Sequence, residues 1–293
     1  DGAGYANGAI ARFLTLPNPH RHLLLGPWDH GARANVSPWR DAVAPRFPLD
    51  GELLRFFDHY LMQRDTGLDR EAPIHLFTMG AERWQAATQW PVATATRTLE
   101  TGAGTETIRV DFAHGTGTNT RYERLAAANT QDYYADWPAH ELPMWRSDSA
   151  PLDVDWELTG HAILDLRLSS TEPDAALHAY LSDVGADGAV RYVTEAALRA
   201  LHRRETAPPQ HYRAAWPFRS YCREDAAPLV SGEPTNMRLV FLPTSWLFRA
   251  GSRIRLSLAG ADADHFGQVP HGRPPVLTIH RDATRLALPG RPA

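Results

Sequence analysis

Apolar positions along the chain fall into two regimes, runs and helical faces up to about residue 80 and short alternating segments from about Thr94. In the first regime, Ile10, Phe13 and Leu14 mark a short amphipathic segment, cut off by Pro17 and Pro19. Leu23-Leu24-Leu25, stopped by Gly26-Pro27, reads as a strand buried on both faces, as in the middle of a parallel sheet. A Pro- and Arg-bearing loop then runs to about Pro48. Leu53, Phe56, Phe57, Tyr60 and Leu61 fall at i, i+3, i+4, i+7 and i+8, which predicts one apolar helix face ending before Gly67. Ile74 to Gly80 reads as a second buried strand. Helix, strand, helix, strand is the α/β pattern.

The second regime is different. Ile108–Phe112, Ala162–Leu168, Ala179–Leu181, Met237–Leu242 and Ile254–Leu258 alternate apolar with polar residues between Gly, Pro, Asn and Asp breaks. That period predicts a β-sandwich or jelly roll. Thr194–Arg204 reads as one helical interruption. The division falls near residue 93, giving an α/β part at 1–93 and an all-β part at 94–293.

Composition narrows the function classes. The 293 residues are 43% hydrophobic and 22% charged, ordinary for a globular chain with a sizeable core. A formal net charge of −4 argues against nucleic acid or an anionic membrane as partner, and the arginines form no patch. No apolar run approaches the roughly 20 residues of a membrane helix. A single cysteine, Cys222, excludes an internal disulfide and a cysteine zinc site, and leaves the compartment open.

Candidate chemistry centres on His30, just past the end of the Leu23–Leu25 strand. In open α/β sheets ligands bind at the carboxyl ends of strands. An imidazole there can take and return a proton near neutrality. Asp29 is its neighbour, but adjacent side chains on an extended segment point apart, so it is poorly placed to serve His30. His20 and His22 could share one strand face, which supplies two metal ligands at most; a solvated lead-in to the strand is the better reading, and no cofactor is expected. Asp183, Asp187 and Gly188 read as a turn rather than a calcium loop. Trp84, Trp90, Trp137, Trp145 and Trp246 read as packing residues rather than a carbohydrate groove. Cys222 lies beside Arg223 with no general base.

Five stretches carry a resemblance to a known family. They are Leu24-Leu25-Gly26-Pro27-Trp28-Asp29-His30-Gly31, Phe77–Gly80 with Trp84 and Trp90-Pro91, and Leu158-Thr159-Gly160 with Leu168-Ser169-Ser170 and Asp174. The others are Tyr180–Val184 with Asp187-Gly188, Thr194-Glu195 and Leu198-Arg199, and Leu242–Ser245 with Phe248, Gly251 and Arg253–Leu256. In this order they make the chain similar to the C-terminal half of CocE/NonD hydrolases, the cocaine esterase, α-amino acid ester hydrolase and X-Pro dipeptidyl-peptidase group.

The resemblance implies an α/β-hydrolase domain followed by a jelly roll, and hydrolysis of small esters or amides by a Ser–Asp–His triad. On it, His30 is the triad histidine and Asp1, followed by glycine, the triad aspartate that orients the imidazole. The family order of Ser, Asp, His puts the serine, the oxyanion hole and the cap before Asp1. No Gly-x-Ser-x-Gly elbow occurs in the sequence. The expectation is therefore a chain inactive alone, whose serine comes from a preceding segment or a partner chain. Oligomeric state stays open, a homo-oligomer included. The rival readings are a non-catalytic jelly-roll binding module and a metal-dependent hydrolase on His20, His22 and His30.

Overall fold

The computed structural model describes residues 5–29, 32, 34–41, 43, 46–122 and 133–293. Helix α1 (Tyr5–Thr15) leads into β1 (Leu23–Leu25), and α2 (Leu49–Tyr60) connects it to β2 (Ile74–Thr78). Strands β1 and β2 run parallel, with Leu23 opposite Ile74 and Leu25 opposite Leu76, as the two apolar runs predict. Strand β3 (Arg83–Ala87) returns antiparallel on β2. Ile10, Phe13, Leu23, Ile74, Leu76 and Trp90 form the core of this unit.

Two expectations need correction here. Strand β1 lies at the edge of a three-stranded sheet of order β1-β2-β3, not in its middle, and Leu24 and Leu25 are only half-buried. The predicted apolar face of α2 forms but stays uncovered among the described residues: Leu53, Phe57 and Leu61 are 49%, 50% and 71% exposed. A leucine run signals apolar surroundings, and here nothing among the described residues supplies a strand against the free edge.

The remainder is a β-sandwich. Its smaller sheet contains β6 (Trp145–Asp148), β9 (Ala176–Val184), β10 (Val190–Arg199) and β13 (Arg253–Ala259), in the order β10-β9-β13-β6. The larger one is built from β4 (Ala95–Glu100), β5 (Thr105–Arg109), β7 (Trp156–Gly160), β8 (Ile163–Ser170), β11 (Thr235–Val240), β12 (Thr244–Phe248), β14 (Val276–His280) and β15 (Arg285–Pro292). Its main path is β12-β7-β15-β8-β14-β5, with β11 on β8 and β4 on β15. Alternating side chains such as Leu164, Leu166, Leu168, Leu256 and Leu258 meet in one core.

Thr194–Arg204 is not a helix. It continues β10 to Arg199 and ends in a short 3-10 turn, Ala200–His202. Alanine and leucine favour helix locally, but this segment pairs with β9 from Thr194 opposite Leu181 to Arg199 opposite Ala176, and that ladder outweighs propensity. Arg203 accordingly caps no α-helix; its guanidinium donates to the carbonyls of Ala200, Ala227 and Pro228.

The two units meet at the end of β2. The Met79 amide donates to the Ser245 carbonyl at 3.0 Å, and the Leu247 amide to the Met79 carbonyl at 2.9 Å. Gly80 follows at φ +82°, where a Cβ would lie 3.0 Å from the Leu247 carbonyl, so a glycine fits this crossing best.

A buried histidine sits at the same junction. His161 stacks at 4.3 Å on Trp216 and places Nε2 2.8 Å from Asn7 Oδ1 of α1. Burial pushes its pKa down to about 4 from 6.5. The unfolded chain therefore binds the extra proton first, so stability falls as pH drops below about 6.5 and levels off below about 4. At about 1.4 kcal/mol per unit this amounts to about 3 kcal/mol. His114 and His178, also lowered by burial, act in the same direction. Denaturant unfolding between pH 7 and 4 should show the loss, and His161→Gln should flatten it; an unchanged slope would contradict this assignment.

Candidate functional site

His30 and Asp1, the residues singled out from the sequence, lie outside the described residues. The frame leading to His30 is described. Strand β1 ends at Gly26-Pro27-Trp28-Asp29, and the Trp28 indole lies directly over Gly26: a Cβ there would come within 2.3–2.4 Å of ring carbons. Trp28 packs on Phe47 at 4.9 Å and Trp84 at 5.8 Å. This close fit is what the Gly-Pro-Trp sequence encodes. Gly26→Ala should displace Trp28, cost about 1–3 kcal/mol as overpacking does, and show in a urea melt; unchanged stability would mean the ring moves freely.

Asp29 is buried and closes the next loop. Its amide donates to the Ala34 carbonyl at 3.1 Å, and its Oδ1 accepts from the Ala34 amide at 3.3 Å. Trp28 also forms an antiparallel bridge to Asn35. The Asp29 carboxylate thus bridges to the Ala34 amide across this turn.

Beyond this strand end opens a cavity of about 390 Å³ between the small sheet and the sandwich. Leu24 to Asp29 and Ala32 line one side; Arg121, Tyr134, Tyr192, Thr194 and Ser245 line the other. A second cavity of about 360 Å³ lies beyond Arg121, walled by Tyr212, Trp216 and Phe218.

Between the two stands a polar cluster built on Glu195 of β10. Its Oε1 lies 2.8 Å from Arg121 Nε and accepts the Tyr122 hydroxyl. Its Oε2 accepts the hydroxyls of Tyr134 at 2.8 Å and Tyr192 at 2.9 Å. Tyr134 and Tyr192 stack face to face at 3.7 Å, and the Arg121 guanidinium lies 4.8 Å over the Tyr122 ring. Burial, then the Glu195 charge, pushes all three phenol pKa values up, so they remain donors. Burial works against the Arg121 charge, but Glu195 outweighs it and the pKa rises.

Sequence reasoning reached Glu195 only within a motif and did not single out Arg121, Tyr122, Tyr134 or Tyr192. The available signal was an arginine-tyrosine pair, Arg121-Tyr122, followed by a tyrosine pair, Tyr133-Tyr134.

The remaining candidates have structural partners. His20 lies 3.9 Å from Asp69, while His22 Nε2 lies 2.8 Å from the Tyr60 hydroxyl and is held below the usual histidine range by burial. Among the described residues no three His, Cys, Asp or Glu side chains converge as a metal site. Asp183 is buried, which raises its pKa, and accepts from Trp246 Nε1 at 3.1 Å. Asp187 accepts the Ala189 amide at 3.0 Å, an ordinary turn. Trp90, Trp137, Trp145 and Trp246 are buried, whereas Trp84 is partly exposed beside Trp28. Cys222 is exposed.

Comparison with known proteins gives a consistent result. Residues 66–287 match the family model of the X-Pro dipeptidyl-peptidase C-terminal non-catalytic domain. A Mycobacterium bovis protein named a serine esterase is 40% identical over 302 residues, covering 98% of this chain and 48% of its own length. The chain thus spans about half the length of that relative. Among solved structures, an aminopeptidase from a Thaumarchaeota archaeon matches 92% of this chain and 49% of its own, with TM-score 0.67 and 18% identity. A CocE/NonD family hydrolase from Staphylococcus aureus matches 82% and 46%, with TM-score 0.60 and 15% identity. These two likenesses concern the fold. The relatives include serine esterases and peptidases, so the homologues are hydrolases. The chain belongs to the family of the X-Pro dipeptidyl-peptidase C-terminal non-catalytic domain.

Proposed function

We propose that this chain supplies the histidine and aspartate of a Ser–Asp–His hydrolase acting on small esters or amides, X-Pro peptides among them. The observation that carries the reading is the end of β1: the strand leading to His30 opens, at its carboxyl end, onto the cavity beneath the sandwich. His30 acts as general base and acid, and Asp1 orients its ring and stabilises the imidazolium. In this reading residues 1–93 are the C-terminal part of an α/β-hydrolase domain and residues 94–293 its jelly roll. Both candidate residues precede residue 66, where the match to the non-catalytic domain begins.

The serine and oxyanion donors come from a segment outside this sequence. The edge of β1 that no described strand pairs, and the exposed Leu53 and Phe57 of α2 with Leu61 just after it, support that, because such an edge and such a face call for cover. The test is fluorophosphonate labelling of the protein as it occurs, with mass spectrometry of every polypeptide. A labelled serine outside residues 1–293, lost on His30→Ala, supports the reading. No label, or label indifferent to His30, favours the binding module.

A further inference from the structure

We propose that Arg121 makes the strand-end cavity selective for esters or amides whose acyl group ends in a carboxylate, such as half-esters of short dicarboxylic acids. The inference rests on the hydrolase reading above and names the substrate class of that same site.

Three observations converge on it. Arg121 is the only cationic residue lining this cavity among the described residues, and the lining otherwise consists of apolar, aromatic and hydroxyl-bearing side chains, with Asp29 the one acid. Asp29 belongs to the strand-end side, where its carboxylate takes part in closing the 29–34 loop; Arg121 belongs to the sandwich side. A substrate lying between them would therefore meet the strand end that leads to His30 on one side and Arg121 on the other.

The second observation is what holds Arg121. Its counter-ion, Glu195, accepts three phenol hydroxyls besides facing Nε, so its negative charge is shared among four donors. A guanidinium carries five N–H groups, more than this carboxylate can satisfy. Nε and Nη1 are buried and make no well-formed hydrogen bond, while the side chain as a whole is 12% exposed. The arginine is thus fixed, charged and short of acceptors, which suits it to a second carboxylate.

The third is size. About 390 Å³ is within the range of small-ligand sites, and the aromatic walls would take a short methylene chain between the two ends. A purely structural Arg121–Glu195 pair would also explain the ion pair, but not why the one cation lining the strand-end cavity among the described residues stands there with buried N–H groups left without an acceptor.

The test uses the hydrolase that contains this chain. The kcat/KM values for p-nitrophenyl hydrogen glutarate and p-nitrophenyl valerate are compared, together with equilibrium binding of free glutarate. Wild type should prefer the glutarate ester. Arg121→Gln should reduce the glutarate-to-valerate ratio about 10–100-fold, chiefly through KM, the size of a lost charged hydrogen bond. Arg121→Lys should restore part of it. Free glutarate should bind wild type and be lost on Arg121→Gln. Equal use of both esters by wild type, or a ratio unmoved by Arg121→Gln, overturns the assignment without needing a folded variant for the first of these. Failure to hydrolyse either ester counts against the hydrolase reading instead, and glutarate binding then decides Arg121 by itself.

Discussion

On the proposed reading, replacing His30 by alanine should lower kcat by about a million-fold, the loss typical of removing a triad histidine. Without the imidazole the serine has no base, and the leaving group no acid. Asp1→Asn should cost about 10⁴-fold, because the wrong ring tautomer is then held in front of the serine. The two losses should not add, since both residues act on one proton transfer. Asp29→Asn separates the rival acid from this scheme. The Asp29 Oδ1 and Ala34 amide contact closes the loop, so that variant should loosen the loop and lower stability, with a far smaller effect on kcat than Asp1→Asn. Steady-state kinetics of the three variants on one ester decides the matter. An Asp29→Asn enzyme as slow as Asp1→Asn would reverse the assignment of the acid.

Much of this frame was readable from local pattern. The Leu23–Leu25 run, the helical spacing from Leu53 to Leu61 and the run from Ile74 give β1, α2 and β2, because each is a short-range periodicity. The packing of Gly26 against Trp28 is likewise local, two residues apart, but the Gly-Pro-Trp motif does not by itself announce the contact. What the pattern could not give was the environment. Strand β1 has the composition of a central strand yet stands at an edge, since burial depends on which neighbour covers it. Thr194–Arg199 has helix-forming residues yet is held in a sheet by pairing with β9.

The site shows the same division. His30 and Asp1 were proposed from motif and order, and both fall outside the described residues. The Arg121 cluster was invisible for a different reason. Arg121 and Tyr122, Tyr134, and Tyr192 with Glu195 come from three separate stretches, and only the closing of the sandwich brings their polar atoms together. No period or spacing in one stretch announces a contact spanning 61 or 73 residues.

Glu195→Leu should be among the most destabilising single changes in the chain, at about 3–5 kcal/mol, the cost of leaving a buried charge without its partner. That is a large part of the roughly 5–15 kcal/mol that holds an ordinary domain together. The substitution strips one guanidinium and three phenol hydroxyls of their common acceptor at once, and Tyr134 is buried where water cannot replace it. Glu195→Gln should cost less, because the amide oxygen still accepts, but its NH₂ then faces hydroxyls whose pKa burial has raised and which stay protonated. Removing both charges in Arg121→Met with Glu195→Leu should be milder than the sum of the single changes, since an apolar pair needs no acceptor. Urea unfolding of wild type, Arg121→Met, Glu195→Leu and the double variant gives the coupling energy. A Glu195→Leu cost under about 1 kcal/mol would mean the cluster is solvated in solution, and the fixed guanidinium on which acyl selectivity depends would lose its support with it.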